Sequence, residues 1–533
     1  GDINLYRLPL QEYDEPYRSE RFDQLFAKEK KGKKDSVVVT IDFENIMERR
    51  EAVGPRFGTQ SGPAVRMDGE KTIILFGSSH EGGGFYQHVI EPFEKSKTTK
   101  IQGSGVGGAN DLVTRKGKHY LVGGGRVQTI NLGQSKLKAI DLKQTFRRAL
   151  QEEFRQMYYE TWANMEENFY NTDFHGVDWP AMRDRYAKYL PYLTNRNDLR
   201  WLTNDLLGEL NTSHSGFYSF GQEESTKQSV RTLDLGVEYA TDDPFKIARI
   251  IPNGPADRKD VNLRVGDRLV AIDGVPLVAG SNREAYLSRP SIDGEVALTV
   301  SRTSRNTAGQ GEAVESKVSL HPSSYFSVRN NRYDEWVDAN QRRVDEQSGK
   351  KIAYVHMKNM TGGQLNSFLD EMVAEGYQRD GLILDLRWNT GGNVHDAVLQ
   401  FLSQRPYLKW QYRGGTPGTQ PNFAPAAKPI VLLINQKSLS DAEMTAAGFK
   451  ELGLGTIIGT PTYRWIIFTS GKGLVDGSFY RLPSWGCYGL DGSNLEKTGV
   501  EPDIRVDNTL EDRLNGRDPQ LDRAIEEIMK KLK

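Results

Sequence analysis

Two serine-containing stretches of the chain carry side chains that could act together in chemistry. In "ELNTSHSGFYS", residues 209–219, His214 lies between Ser213 and Ser215, directly after a long helix-forming run. In "SLSDAEMTAAGF", Ser440 follows the apolar segment "IVLLINQ" and begins a helical pattern. An imidazole that takes the proton of a serine hydroxyl turns that hydroxyl into a nucleophile. A serine before a helix can also be a plain N-cap, with Glu443 as its capping-box partner.

A third stretch, "LILDLRWNTGGNV", could supply hydrogen-bond donors to a developing negative charge. Gly391 and Gly392 follow a predicted buried strand and precede a predicted helix. Backbone N–H groups near a helix N-terminus can hold an anion or an oxyanion. A glycine pair after a strand is more often an ordinary turn. The functional interpretation of this stretch therefore depends on its combination with the two serine stretches.

If the base is a histidine, eight residues are candidates. His214 combines a turn after a helix with hydroxyl neighbours that could hold the ring. The others are predicted in or beside strands, at turns or within a helix: His80, His88, His119, His175, His321, His356 and His395. A lysine base is the alternative within the same reaction class.

The elements that must position these residues fall into four predicted regions. Residues 1–140 show short alternating apolar runs, with similar turns at "MDGEK" and "RKGKH" that lie 48 residues apart. That spacing is typical of one blade of a β-propeller, but a closed propeller needs about four blades. We therefore expect a partial β-propeller-like region, with a β-sandwich as the alternative.

The period becomes helical in residues 141–230, where one apolar stripe includes Phe154, Met157, Tyr158, Trp162 and Met165. Residues 231–322 are β-rich, and "IIPNGPADRKDVNLRVGDRLVAIDG" resembles a PDZ domain. PDZ domains bind extended peptide ends by strand addition. The glycine-rich loop that usually holds the peptide carboxylate reads "LDLGVEY" here, so peptide binding and a spacer role both stay open.

Residues 323–533 alternate buried apolar strands with amphipathic helices, which predicts an α/β domain with a parallel or mixed sheet covered by helices. Chemistry in such sheets lies at the carboxyl ends of the strands. The Gly391–Gly392 pair and Ser440 both follow such ends. The predicted fold class is therefore multidomain, with all-β, helical, PDZ and α/β parts.

Four separated stretches together resemble the tricorn proteases, which are relatives of the C-terminal-processing serine peptidases. These stretches are "LGELNTSHSGFYS", "DLRWNTGGNV", "SLSDAEMTAAGFKELGLGTIIGTPT" and "LDGSNLEKTGVEPDIRV", and the resemblance covers roughly residues 140 to 533. It implies Ser440 as nucleophile, His214 as base, and Ser213 with Glu496 completing a Ser-His-Ser-Glu tetrad. It also implies an oxyanion hole made by the Asp441 amide with an amide of Gly391 or Gly392. The C-terminal-processing branch uses a lysine base after the serine, whereas Trp465 stands near that place here, which favours histidine.

The resemblance implies a serine endopeptidase that cleaves unfolded polypeptides or oligopeptides through an acyl-enzyme, without a cofactor. It also implies a homo-oligomer, with a ring-like hexamer as the family form, and the apolar stripe of the C-terminal helix would suit an interface. Tyr463, Arg464 and Trp465 replace the family's small residues, so the alternative is an inactive PDZ-bearing scaffold that binds peptides. The segment from Ala397 to Ser440 contains no acidic residue, which argues against cleavage after basic residues.

Composition narrows the remaining possibilities. The 70 basic and 71 acidic residues give no excess charge that would favour nucleic acid. The single cysteine, Cys487, cannot form an intrachain disulfide or a metal-binding cysteine pair, and a packed thiol is favoured over a nucleophile. No apolar run is long enough to span a membrane. We expect a cytoplasmic protein, or a periplasmic one if a signal peptide has been removed.

Overall fold

A computed structural model describes residues 3–11, 39–55, 58–80, 83–92, 94–103, 112–123, 126–141, 147–221, 224, 230–289, 294–305 and 311–533. The chain divides into two compact units, Gly1–Arg147 and Arg148–Lys533. No helix in the described ranges is both long and apolar enough to cross a membrane.

The first unit contains two successive four-stranded antiparallel meanders, β3–β6 and β7–β10. Gly69 and Gly117 take positive φ angles of 61° and 72° in the turns that open the two meanders, so the similar sequence turns occupy equivalent places. These meanders confirm the partial propeller-like all-β region. The strands of this unit are β1 (Tyr6–Arg7), β2 (Glu51–Ala52), β3 (Gln60–Asp68), β4 (Lys71–Ser78), β5 (Gly84–Ile90), β6 (Lys97–Lys100), β7 (Leu112–Arg115), β8 (Lys118–Gly123), β9 (Arg126–Asn131) and β10 (Lys136–Ala139).

The second unit begins with three helices, α1 (Leu150–Asn168), α2 (Trp179–Ala187) and α3 (Arg196–Gly208). The predicted stripe is buried between them, with Phe154, Met157 and Met165 no more than 1% exposed. Asn195 starts α3 through a capping box with Asp198. The helices share one core with Phe217, Tyr480 and Leu482, which come from the strands described next.

A small antiparallel sheet joins the helical region to the C-terminal region. Strand β11 (Gly216–Tyr218) pairs with β28 (Phe479–Trp485), which pairs with β27 (Phe468–Gly473). Because β11 starts two residues after His214, this pairing holds the histidine beside a part of the chain that is remote in sequence.

The PDZ-like region consists of short antiparallel sheets around a core that includes Leu233, Ile247, Leu269 and Val300. Strand β12 pairs with β17 on one side and with β20 on the other. The elements are β12 (Arg231–Asp234), β13 (Val237–Tyr239), β14 (Ile247–Ile250), β15 (Arg268–Ile272), β16 (Val275–Pro276), α4 (Arg283–Tyr286), β17 (Ser288–Arg289), β18 (Val296–Arg305), β19 (Gly311–Leu320) and β20 (Ser323–Ser324).

The C-terminal region is built on a five-stranded sheet, β21-β22-β25-β26-β29, in which every neighbouring pair is parallel. The sequence predicted either a parallel or a mixed sheet, and the sheet is parallel throughout. The antiparallel strands of this region form separate small sheets. Helices α6, α7 and α8 pack on one face through Phe368, Val398 and Phe449, and α5 and α11 cover the other through Val344 and Ile525.

The remaining elements of this region are α5 (Tyr325–Ser348), β21 (Ile352–His356), α6 (Gly362–Ala374), β22 (Gly381–Asp385), α7 (His395–Leu402), β23 (Leu408–Trp410), β24 (Gly418–Gln420), β25 (Ile430–Ile434), α8 (Asp441–Glu451), β26 (Thr456–Gly459), α9 (Leu495–Thr498), β29 (Ile504–Arg505), α10 (Leu510–Leu514) and α11 (Pro519–Lys531).

The apolar stripe of α11 is covered within its own chain. Leu521, Ile525 and Ile528 are at most 3% exposed and pack in the same core as Val431 and Leu433 of β25. This stripe therefore gives no support to an interface between subunits.

Candidate active site

His214 lies on the turn between α3 and β11, with a positive φ of 59°. A non-glycine residue in this region of backbone space is strained, and such strain often accompanies a functional side chain. The side chain is buried, with 8% of the residue exposed. The end of α3 and the β11–β28 pairing thus hold the imidazole in a fixed, largely dehydrated position.

A chain of hydrogen bonds joins His214 to Ser213 and Glu496. The Ser213 Oγ lies 3.1 Å from His214 Nδ1 and donates to Glu496 Oε2 at 2.9 Å. The Ser213 N–H donates to the other carboxylate oxygen at 2.7 Å. Because the hydroxyl proton is used on Glu496, the Ser213 oxygen accepts from Nδ1–H. The neutral imidazole then has its lone pair on Nε2, the nitrogen that could take a proton from a nucleophile.

Glu496 is itself held in place from two directions. It lies on the short helix α9, whose N-cap Asn494 accepts a hydrogen bond from the Glu496 N–H at 2.9 Å. The Ile466 N–H donates to its Oε2 at 3.2 Å. These two contacts hold the carboxylate in its orientation toward Ser213.

Burial, together with the smaller effect of the nearby positive charge of Arg481, lowers the pKa of His214 to about 4. The indole of Trp465 contributes to this burial, since its ring centroid lies 5.0 Å from that of His214 at an interplanar angle of 40°. The imidazole is therefore neutral at neutral pH and able to accept a proton.

Ser440 occupies the N-cap position of α8, at the end of the loop that follows β25. Its φ of 51° and ψ of −112° are strained for a residue with a Cβ. Gly391 packs directly against it: a Cβ added to Gly391 would lie 2.7 Å from Ser440 Cβ and 3.4 Å from the Asp441 nitrogen. A side chain at position 391 would thus displace the serine.

The predicted oxyanion donors differ in their hydrogen bonding. The Gly391 N–H already donates to Asn389 Oδ1 at 2.8 Å, so it has no free hydrogen for an oxyanion. Within the described residues, the N–H groups of Gly392 and Asp441 have no hydrogen-bond acceptor. Two unused amides near a strained serine are suited to stabilising negative charge on a bound carbonyl oxygen.

The Glu443 carboxylate connects the two halves of the site. It is fully buried and accepts from the N–H of Ser440 at 3.0 Å, of Arg464 at 2.7 Å and of Trp465 at 2.7 Å. The Thr462 hydroxyl donates to it at 2.6 Å. Burial raises the pKa of Glu443, and these four hydrogen bonds oppose that change. Glu443 thus acts as the predicted capping-box residue and also fastens the 462–465 turn to the start of α8.

Asp441 has a second function that the sequence did not indicate. Its carboxylate accepts from His395 Nδ1 at 2.5 Å and from the N–H groups of Val394 and His395 at 2.7 and 3.0 Å. The side chain therefore ties α8 to the start of α7, next to the loop that carries Gly392. The spacing of 46 residues between the partners carries no local sequence signal.

The structure thus forms two groups from the predicted residues. His214, Ser213 and Glu496 form one hydrogen-bonded group, and Ser440, Gly391 and Asp441 form a closely packed one. In the described part of the chain, Ser440 and His214 share no hydrogen bond. Trp465 joins the groups, since its ring packs on His214 and its N–H binds Glu443. Hydrogen bonds between catalytic groups often form only when substrate is bound.

The environment of Cys487 disfavours its thiolate. Burial raises the pKa of its thiol, and the charges of Glu443 and Glu496 raise it further. A thiol with a raised pKa is mostly protonated at neutral pH, and the thiolate is the reactive form.

Three family models match the chain: Tricorn protease C1 domain over residues 150–208, PDZ domain over 218–301 and Peptidase family S41 over 351–506. Tricorn protease homolog 1 of Streptomyces coelicolor is 32% identical over 398 residues, which are 70% of this chain and 35% of that protein. The tricorn protease of Thermoplasma acidophilum is 29% identical over 396 residues, 72% of this chain and 36% of that protein.

Among solved structures, the crystal structure of the tricorn protease matches with a TM-score of 0.71 and 23% identity, and the match covers 93% of this chain and 49% of that one. The chain thus spans less than half the length of these relatives. The order of the three matched segments and the identities of 32% and 29% to these relatives lead to one assignment: the chain belongs to the tricorn protease family of the S41 serine peptidases.

Proposed function

We propose that this chain is a serine endopeptidase that cleaves unfolded polypeptides or oligopeptides. Ser440 attacks the peptide carbonyl, and His214 takes its proton through Nε2 and returns it to the leaving amine. Ser213 and Glu496 orient the ring and stabilise the imidazolium. The N–H groups of Asp441 and Gly392 bind the oxyanion of the tetrahedral intermediate, and the acyl-enzyme is then hydrolysed.

The observation that carries this proposal is the hydrogen-bonded chain from His214 Nδ1 through Ser213 Oγ to Glu496, at 3.1 and 2.9 Å. A carboxylate that reaches a histidine through a hydroxyl has little use in a packing role, because a simple apolar contact would stabilise the fold at lower cost. In a base it fixes the tautomer and favours the charged form that catalysis generates.

A fluorophosphonate probe tests the nucleophile. We expect the wild-type protein to be labelled and Ser440→Ala to remain unlabelled, because the probe reacts with activated serines. Ser367→Ala, on α6, is the matched control and should be labelled normally. Absence of wild-type labelling, together with peptide binding, would instead favour the inactive scaffold, in which Trp465 blocks His214.

The pH dependence follows from the lowered pKa of His214. The reaction needs the neutral imidazole, so kcat/KM should stay level from about pH 8 down to about pH 5 and fall below a midpoint at about pH 4. Trp465→Ala should expose the ring, raise this pKa toward ~6.5 and move the midpoint upward. A wild-type midpoint near pH 6.5 that Trp465→Ala leaves in place would contradict the assignment.

We further propose cleavage after hydrophobic residues in preference to basic ones. Among the described residues, three carboxylates lie in or beside the candidate machinery, and Asp441, Glu443 and Glu496 already accept several hydrogen bonds each. Of the apolar residues between Ala397 and Ser440, Leu402 is buried in the core, whereas Trp410 and Tyr412 are 64% and 86% exposed. Profiling with a peptide library checks this; dominant lysine or arginine at the cleaved position would be the contrary result.

A homo-oligomer stays a proposal that rests on the family resemblance, with a hexamer as the form that the resemblance implies. The compartment and the absence of a cofactor and of nucleic acid likewise stay expectations from the sequence. The division of the chain into domains at 1–140, 141–230, 231–322 and 323–533 also stays a prediction.

A further inference from the structure

A cavity of about 720 Å³ lies on the side of the parallel sheet where α5 meets the loop that precedes Gly391. Its size is typical of sites that bind small molecules. It is lined by α5, by the start of the loop that carries the proposed oxyanion donors, and by residues 508–518. The lining includes Arg329, Tyr333, Trp336, Lys358, Trp388 and Arg513.

The lining of this cavity is strongly basic. Among the described residues it contains five arginines and Lys358, against one carboxylate, Asp518. Asp518 is already paired, since the buried Arg387 donates to it at 2.8 Å. Three of the lining arginines have acidic partners, in the pairs Arg332–Glu238, Arg343–Asp522 and Arg517–Asp512.

The other three cations have no carboxylate within ion-pair distance in the part of the chain that the structure describes: Arg329, Lys358 and Arg513. Lys358 Nζ donates to the neutral side chain of Asn330 at 2.7 Å, and Arg513 lies over the ring of Trp388, 5.9 Å from its centroid. Three like charges around one cavity repel each other. A bound anion would remove this repulsion and would accept their free N–H groups.

The walls of the cavity are aromatic. Trp336 and Trp388 meet edge to face, with centroids 5.5 Å apart and planes at 87°, and Tyr333 lies 6.3 Å from Trp336. Indole and phenol faces bind planar groups and organic cations. The positive charges of Arg329, Lys358 and Arg513 would repel a bound organic cation. The apolar walls and the free charges therefore select for an anion attached to a flat ring.

We propose that this cavity binds a small ligand that joins an oxyanion, a carboxylate or a phosphate, to an aromatic ring. The ring would pack against the aromatic wall formed by Tyr333, Trp336 and Trp388. The oxyanion would accept from Arg329, Lys358 and Arg513. A free phosphate ester and the carboxylate end of a peptide that finishes in an aromatic residue are the two sources of this chemistry. The cavity is distinct from the proposed catalytic groups, but it shares the Trp388–Gly391 loop with them through Trp388 and Thr390.

Calorimetric titration of the Ser440→Ala protein tests the site without hydrolysis, so the result does not depend on the proposed peptidase activity. The probes are phenyl phosphate, N-acetylphenylalanine and the neutral N-acetylphenylalaninamide, at low ionic strength because salt screens exposed charges. We expect both anions to bind and the amide to bind at least about tenfold more weakly, since it lacks the charge. Tighter binding of the phosphate indicates a phosphate ester, and tighter binding of the carboxylate a peptide end.

Variants then locate the binding. Arg513→Gln and Arg329→Gln should each lower the affinity for the more tightly bound anion by about tenfold, because each removes a charge-assisted hydrogen bond. Arg258→Gln, an exposed arginine of the PDZ-like region beside Asp260, is the matched control and should bind as the parent does. Neither cavity arginine has an ion pair to lose, so the variants should fold. The proposal is overturned if neither anion binds, if the amide binds as tightly, or if all three variants retain the parent affinity.

Discussion

Replacing His214 with alanine should lower kcat/KM by at least about a thousandfold while the protein stays folded. A positioned general base contributes about 10²–10⁴-fold, and a nucleophilic serine without its base is a weak nucleophile. No lysine stands in the turn after Ser440 to replace it, since Trp465 occupies that place and its ring lies against the imidazole at 5.0 Å. The rate of hydrolysis of a fluorogenic peptide and the rate of fluorophosphonate labelling should fall together.

The matched control for this experiment is His321→Ala, because His321 is an exposed histidine of the PDZ-like region whose side chain is 59% accessible. It should keep wild-type activity. The assignment of the base would be wrong if His214→Ala kept more than about a tenth of the wild-type kcat/KM, a loss of less than about 1.4 kcal/mol. A conservative test of the orienting groups is Glu496→Gln, which removes the charge and keeps one acceptor oxygen, while its NH₂ group opposes a donor that the carboxylate accepted from.

The sequence indicated which side chains meet at the candidate site better than it indicated the contacts that hold them there. Ser213 and His214 come from one of the four stretches that carry the resemblance and Glu496 comes from another, and the structure brings them into one hydrogen-bonded chain. The distance along the chain between Ser213 and Glu496, 283 residues, excludes any prediction of that contact from local propensity. Local rules describe helices and turns, whereas the β11–β28 pairing that delivers His214 is a long-range contact.

Glu443 shows how a local rule can be right and incomplete. The capping box at Ser440 predicted its hydrogen bond to the Ser440 N–H, which the structure contains at 3.0 Å. The same rule could not indicate the bonds from Arg464 and Trp465, since these partners lie 21 and 22 residues further along and reach Glu443 only through the fold. The α11 stripe shows the converse, because its periodicity predicted a buried face but not which surface covers it.

Replacing Glu443 with alanine should lower both the stability of the protein and the reactivity of Ser440. The free energy lost with the hydrogen bonds should exceed the free energy gained by no longer burying a carboxylate. The change leaves four donors without an acceptor, on Ser440, Thr462, Arg464 and Trp465. A buried unsatisfied donor costs about 1–3 kcal/mol, so even with water entering the cavity the sum should reach about 3 kcal/mol. The turn that carries Trp465 would detach from α8, and the Ser440 backbone would lose the contact that holds its strained conformation.

We therefore expect Glu443→Ala to melt at a lower temperature and to react with fluorophosphonate at least about a hundredfold more slowly than wild type. The melting temperature and the labelling rate of Glu443→Gln should lie between those of wild type and Glu443→Ala, because its amide oxygen still accepts while its NH₂ group opposes a backbone donor. Glu451→Ala, at the exposed end of the same helix, is the control for general effects on α8. Wild-type melting and labelling of Glu443→Ala would show that the 462–465 turn and Ser440 are held by other contacts, and that Glu443 is no more than a dispensable cap.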